Sequence, residues 1–566
     1  MSVRRRLRLL ALVTVLCTGA AGLPACAPDA DGRQAGPTAT CAELAEQYSS
    51  FPAGTTVTVA TSFTGVEAER FNASVADFSR CTGVTIVQNG SDELENQLRA
   101  ELGGSATDLA DIAVVPQPGL VTDLARHGRI VPLPEAVGAN TELGWDRIWS
   151  DAGRVDGELY GAPLMASVKS FVWYSPVAFE RAGYQVPTTW DELVALTDKV
   201  VADHPDGSVT PWCLGASDGA TTGWPVSDWL EDGLLAIHGT GAYDQWANHD
   251  IPVDAQVAVS TLDSLDSLLL AKGHVAGGRA GAVSMTMEEA GVELVSGTCL
   301  MLHASSSFET VLPPGTTVTD ADGAHGVTVS ASPTEAASTP AGQPGEAGEP
   351  TPAGQPDDAG QPDDAGQSNG AGEPGEAGQP DDVGQPTPAG DPDNAGWAPS
   401  EGTPSEGAAS GAYTGAPAST ATATPTPVRT GGVVSAFLLP AIETDSTSNP
   451  VLVGGDYLVA LKVSDASTAV MSYLTSSVWA QTRLSLGGVA SANHGVDAAG
   501  ASSPVAQEAS RILQSRQSVV RIDASDMMPS AVGTQVMWGA LTKWARGETS
   551  SVAALATAEA AWPKKG

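Results

Sequence analysis

Apolar positions in the first third of the chain alternate between two spacings. Thr55–Thr61 is a β-branched and apolar run, and Val66, Phe71, Val75 and Phe78 follow at helical intervals. Val84–Val87 predicts a second strand, and Leu94, Leu98 and Leu102 mark the helix after it. Asp111-Ile-Ala-Val-Val115 is a third, wholly apolar strand closed by Pro116. Strands alternating with helices through short links predict a parallel sheet with right-handed crossovers. Ligands bind beyond the carboxyl ends of such strands. Here those ends are Ser62-Phe-Thr-Gly65, Gln88-Asn-Gly-Ser91 and Pro116-Gln-Pro-Gly119, polar loops able to present amides and hydroxyls.

The pattern continues with a strand at Phe171–Tyr174 and helices over 190–202, 226–237 and 255–272. From about 332 to 431 periodicity vanishes. Ala, Gly, Pro, Gln, Thr and acidic residues dominate, with tandem Ala-Gly-Gln-Pro-Asp-Asp hexapeptides over 353–358 and 359–364. Such a composition cannot bury enough apolar surface to offset chain entropy, so disorder is expected. An apolar strand at Val433–Leu439 directly after it favours an insertion within one lobe over an inter-domain linker. A helix-rich pattern is expected from about 455 to 562.

Composition adds location. With 27 Lys+Arg against 66 Asp+Glu, the net charge of −39 argues against a nucleic-acid partner. The insertion supplies about a third of that charge. Arg4, Arg5, Arg6 and Arg8 precede an apolar run, Leu9–Leu16, which is shorter than the ~20 residues needed to span a bilayer. Leu23-Pro-Ala-Cys26 resembles a bacterial lipobox, which makes 1–25 a signal peptide, Cys26 the lipidated residue and 26–40 a tether at the outer face of the membrane. Cys41, Cys81, Cys213 and Cys299 remain for two disulfides among three connectivities. The pairing 41–81 and 213–299 is preferred because each pair then stays within one predicted lobe.

Gly215-Ala-Ser217-Asp-Gly219 matches the nucleophile-elbow pattern, but loop-forming residues follow where a helix should open. The histidines lack metal-ligand spacing, so no metal or cofactor is expected. Glu231-Asp232 is an acidic pair with no geometry to support glycosidase chemistry. Carbohydrate recognition suits the residue types better, because sugars offer apolar faces to aromatic plates and hydroxyls to amides and carboxylates. The chain carries 13 Trp against 8 Tyr and 8 Phe, with Trp173 and Trp224 beside polar residues. Trp190, Trp544 and Trp562 are expected to pack.

Six ordered stretches together resemble the extracellular binding proteins of α-glucoside-type ABC sugar importers. They are Asp111–Gly119, Val168–Tyr174, Pro211-Trp-Cys-Leu-Gly215, Gly223-Trp-Pro-Val-Ser-Asp-Trp-Leu-Glu-Asp232, Val453-Gly-Gly-Asp456 and Arg521–Pro529. Ser491-Ala-Asn493 departs from the Ser-Pro-Asn common in that group. The resemblance implies an α/β protein of two hinged lobes that closes on sugar. Lobe one would hold 41–165 and 452–487, and lobe two 168–331, 432–451 and 490–566. It also implies a non-catalytic monomer that hands its ligand to permease subunits. Carried over by position, Gly90, Ser91, Gln117 and Asp456 would contact sugar from lobe one, and Trp173, Trp224 and Asp228 from lobe two, with Trp538 a further plate. Asp228 suits a helix cap equally well, Asp456 could cap the helix after it, and Lys169 could be a hinge ion-pair partner. The alternatives are an extracellular hydrolase using Ser217 and a surface protein acting through 332–431.

Overall fold

The apolar stretches of the first third pair into one twisted sheet, and those of the middle third into a second. The computed structural model describes residues 40–103, 109–321, 323, 325–329, 432–442 and 450–564. The leader, Cys26, most of the tether and the 332–431 stretch lie outside the described residues.

Helix α1 (Cys41–Tyr48) opens with a capping box between Thr40 and Glu43. It leads to β1 (Thr56–Thr61), α2 (Gly65–Thr82), β2 (Thr85–Gly90), α3 (Leu94–Gly103), β3 (Ile112–Val115) and α4 (Pro118–Arg126). The chain continues through β4 (Gly161–Val168), β5 (Phe171–Tyr174), α5 (Trp190–Asp203), β6 (Thr210–Cys213), α6 (Trp224–Ala247) and α7 (Gln256–Leu269). Then come β7 (Cys299–His303), β8 (Thr317–Thr319) and β9 (Gly326–Thr328). Beyond residue 432 lie β10 (Val433–Leu438), β11 (Pro450–Ala460), α8 (Asp465–Leu474), α9 (Pro504–Gln514), β12 (Val519–Ile522), α10 (Ala524–Met527), α11 (Trp538–Arg546) and α12 (Ser551–Ala560).

The first sheet runs β12-β11-β3-β1-β2, with β4 also on β11, and the second runs β9-β8-β10-β5-β7-β6. β1 is parallel to both β2 and β3. All four residues of β3 are buried, as an unbroken apolar run requires of a strand covered on both faces. Among the described residues the chain passes between the sheets twice, at Lys169-Ser170 and between β10 and β11, and it leaves the first sheet a last time at Asp523, where β12 gives way to α10. β12, inside the 490–566 segment expected in lobe two, pairs with β11 of the first sheet.

The tail from 455 is helix-rich as expected and also holds strand, since β11 extends to Ala460 and β12 follows at Val519. Gly454-Gly455-Asp456 interrupts the apolar run of β11 and hides it. Helix α6 opens at Trp224 rather than 226, with Gly223 as N-cap and proline in the first turn, and it breaks at Gly239 (φ 75°). The disulfides join Cys41 to Cys81 and Cys213 to Cys299, the second linking adjacent strands β6 and β7. Trp190 and Trp544 are buried, and Trp562 stacks on His249 at 3.7 Å.

Candidate functional site

The loops leaving β1 and β3 place Ser62, Thr64, Pro116 and Gln117 on the wall of a cavity of about 440 Å³. It lies at the strand ends where topology places ligands, and small-molecule sites are typically ~300–1,000 Å³. Glu67, Asp92, Glu95 and Asp456 complete the lobe-one wall. Asp218, Thr221, Trp224, Trp538, Ser305 and Ser307 face them from lobe two. Lys169 comes from the β4–β5 crossing, Gly454 and Gly455 from β11, and Asp526 from α10. Asp456 sits inside β11, where the register against β4 shifts between it and Tyr457. A bulge of this kind re-aims a side chain; here it stands beside the acid that lines the cavity.

Glycine brings the two aromatic plates together. Gly223 has φ 109°, and a Cβ there would lie 2.4 Å from the Trp538 carbonyl oxygen and 2.5 Å from Thr542 Oγ1. Without a side chain, the turn into α6 seats against the start of α11. Trp224 Nε1 donates to Asp218 Oδ2 at 2.7 Å, and Trp538 Nε1 to Ser525 Oγ at 3.4 Å. Trp538 directly follows a π-helical segment, Ala531–Met537. That segment also meets lobe one, where Arg99 Nη1 donates to Thr534 Oγ1 at 3.0 Å.

The lining is rich in acceptors. Six carboxyls (Glu67, Asp92, Glu95, Asp218, Asp456 and Asp526) stand against one ammonium, Lys169. Glu95 Oε2 and Gln117 Oε1 are buried with no hydrogen-bond partner, although Glu95 Oε2 lies 3.9 Å from Arg99 Nη2, and both residues line the cavity. A buried acceptor left unpaired is costly, so this wall favours a ligand that donates. Burial lifts the Glu95 carboxyl above its usual range, against Arg99 and a hydrogen bond from Gln117. Burial, with Glu67 and Glu95 nearby, pushes Asp456 up to about 7. Burial alone would depress Lys169, but Asp228, Asp523 and Asp526 hold it well above the ordinary lysine range. Its Nζ lies 3.0 Å from Asp228 Oδ1, 2.6 Å from Asp523 Oδ2 and 3.4 Å from Asp526 Oδ2. The ammonium is therefore already neutralised from within the protein.

The structure brings Gln117, Trp224, Asp456 and Trp538 around one cavity. Gly90 and Ser91 fall just outside its lining, with Asp92 taking the place expected of them. Trp173 does not reach it. The indole is fully buried, donates to the Ala304 and Ser305 carbonyls at 3.2 Å and packs edge-on against Phe308. Asp228 also lies behind the wall, bound to Lys169. It is no cap either, since α6 begins four residues earlier. Asp456 caps no helix, being within a strand. Sequence reasoning passed over Glu67, Glu95, Asp218, Ser305 and Ser307. Glu95 had one usable signal, its place in the first turn of the helix after a predicted binding loop. Ser217 forms no nucleophile elbow, because a three-residue 3-10 turn, Gly219–Thr221, separates it from α6.

Comparison with known proteins bears on the family and the fold. A family model described as bacterial extracellular solute-binding protein matches residues 64–379. The osmoprotective compounds-binding protein GgtB of Synechocystis sp. is 27% identical over 513 residues, spanning 90% of this chain and 92% of that one. The alpha-glucosides-binding periplasmic protein AglE of Rhizobium meliloti is 33% identical over 281 residues, 48% of this chain and 60% of its own. Among solved structures, the bacterial solute receptor AcbH, described with a preference for β-D-galactopyranose, superposes with a TM-score of 0.58 at 13% identity. That match covers 90% of this chain and 98% of AcbH, and at this identity it speaks for the two-lobed fold alone.

Proposed function

This chain belongs to the family of bacterial extracellular solute-binding proteins, and from that premise we propose that it captures a neutral α-glucoside or related oligosaccharide for an ABC importer. The observation that carries the ligand class is the wall itself: two tryptophans facing acceptors, two of them buried without a hydrogen bond. A sugar would lay an apolar face on Trp224 and Trp538 and donate hydroxyls to Gln117, Glu95 and Asp456. Members of this family bind and deliver, and the chemistry here asks for nothing more than hydrogen bonds and stacking. Cys26 would carry the lipid that keeps the loaded protein beside its permease, and Cys26→Ala should release the protein into the medium.

Isothermal titration against maltose, trehalose, sucrose and glucose 1-phosphate tests the reading. One neutral disaccharide should bind, and the phosphate should bind at least ~100-fold more weakly, because like charges juxtaposed in a site cost several kcal/mol. Silence from every neutral sugar, or a preference for the phosphate, would overturn it. Trp224→Ala should weaken the bound sugar by at least about tenfold while leaving the circular dichroism spectrum unchanged. Unchanged affinity would remove Trp224 from the site.

A further inference from the structure

Asp228, Glu231 and Asp232 occupy positions i, i+3 and i+4 of α6 and so share one face. All three are buried. Three carboxylates in one dry helical turn persist only if each is matched by donors. The donors come from the passages between lobes.

Asp228 takes the Lys169 ammonium, which sits in the β4–β5 passage. Asp232 accepts Ser170 Oγ at 2.6 Å from the same passage and meets His303 Nε2 of β7 at 2.9 Å. Glu231 accepts the backbone N–H groups of Ala524 and Ser525, where the chain leaves the first sheet for α10. It also accepts Tyr243 Oη at 3.0 Å. The head of β11, into which the passage from β10 runs, is tied to the other two sites. Leu452 N donates to Ser170 Oγ at 2.7 Å, Lys169 N to the Leu452 carbonyl at 2.8 Å, and Asp523 N to the Val453 carbonyl at 2.9 Å. Gly454 leaves room for the lysine stem, since a Cβ there would stand 2.7 Å from Lys169 Cε.

We propose that this face of α6, acting through Lys169 and Ser170, is the anchor of the hinge. Its carboxylates are positioning residues: they clamp Lys169-Ser170, the head of β11 and the entry to α10 against lobe two and confine bending to the lobe-one side. The clamp follows from these contacts alone. Its coupling to ligand rests on the proposed sugar cavity, because Lys169 and Asp526 belong both to the clamp and to the cavity wall. The stretch Gly223–Asp232 thus joins a ligand-facing plate, Trp224, to the hinge within three helical turns.

Hydrogen exchange on the ligand-free full-length protein tests the anchor independently of any sugar. In Lys169→Met, the amides of residues 169, 452 and 523 should exchange about tenfold faster or more, while those of β1 and β3 stay within about threefold of wild type. Lys169→Arg should restore the protection. Unchanged exchange at the three amides, or equal acceleration throughout, would overturn the proposal. Should Lys169→Met fail to fold, Ser170→Ala decides. Faster exchange at Lys169 and Asp523 as well as Leu452 supports the anchor. A change confined to Leu452, which loses its own acceptor, overturns it.

Discussion

Asp456 shows how much one residue's surroundings decide. Its carboxyl is lifted from an ordinary 3.8 to about 7, first by burial and then by Glu67 and Glu95. The folded chain therefore holds a proton between roughly pH 4 and 7 that the unfolded chain has released, and stability should fall as pH rises through that window. Asp456→Asn removes the titration. The wild-type melting temperature should drop between pH 4.5 and 7.5 by at least about 2 °C more than that of the variant; parallel profiles would refute the assignment. Gly223→Ala is the sharper steric test, since it adds both a strained backbone and a clash with Trp538. It should destabilise the fold and weaken sugar binding together in a melting and titration series. At this scale the sequence was informative where a residue sat in a predicted loop, as with Gln117 and Trp224. It misled on Trp173, expected at the sugar, because nothing in the order Lys-Ser-Phe-Val-Trp-Tyr says that both faces of β5 are buried and that the indole packs on Phe308.

Elements were read more surely than their ends. Phe171–Tyr174 and the helix from Trp190 stand where the apolar spacing put them. β11 was lost because its glycines and acid break the alternation, and all three of those residues line the cavity. The three acids of α6 were likewise invisible as a set. In an acidic chain a carboxylate pair is unremarkable until its partners, more than 50 residues away in Lys169 and nearly 300 away in Ala524, are brought beside it. The Cys213–Cys299 bridge spans 86 residues yet joins neighbouring strands. Its removal in a Cys213→Ala/Cys299→Ala variant should cost up to about 4.6 kcal/mol in urea unfolding on the loop-entropy model. A loss below about 1 kcal/mol would mean that β6–β7 pairing already confines the unfolded chain.

For the molecule as a whole, the two-lobed architecture was legible from the alternation of strands and helices together with the ordered motifs. The passages and their shared clamp were not, since they depend on contacts between segments far apart in the chain. Deleting 332–431 and joining the flanks should leave sugar affinity within about threefold of wild type, as expected when a loop is shortened away from a site. A larger loss would assign that stretch a part in binding. The flanks make the operation feasible. Val329 N donates to the Thr316 carbonyl and Thr317 N to the Gly432 carbonyl, so the described residues on either side of the stretch meet the chain at adjacent positions where β8 begins.

That shared doorway has a practical corollary. A cut between 330 and 431 would divide the polypeptide into two pieces, and the second would contribute β10, held between β8 and β5, and β11, held between β12 and β3. Neither sheet can close without both pieces. The chain is thus a natural candidate for a split receptor whose halves, expressed separately, reassemble through strand complementation and report their reunion by recovering the ligand.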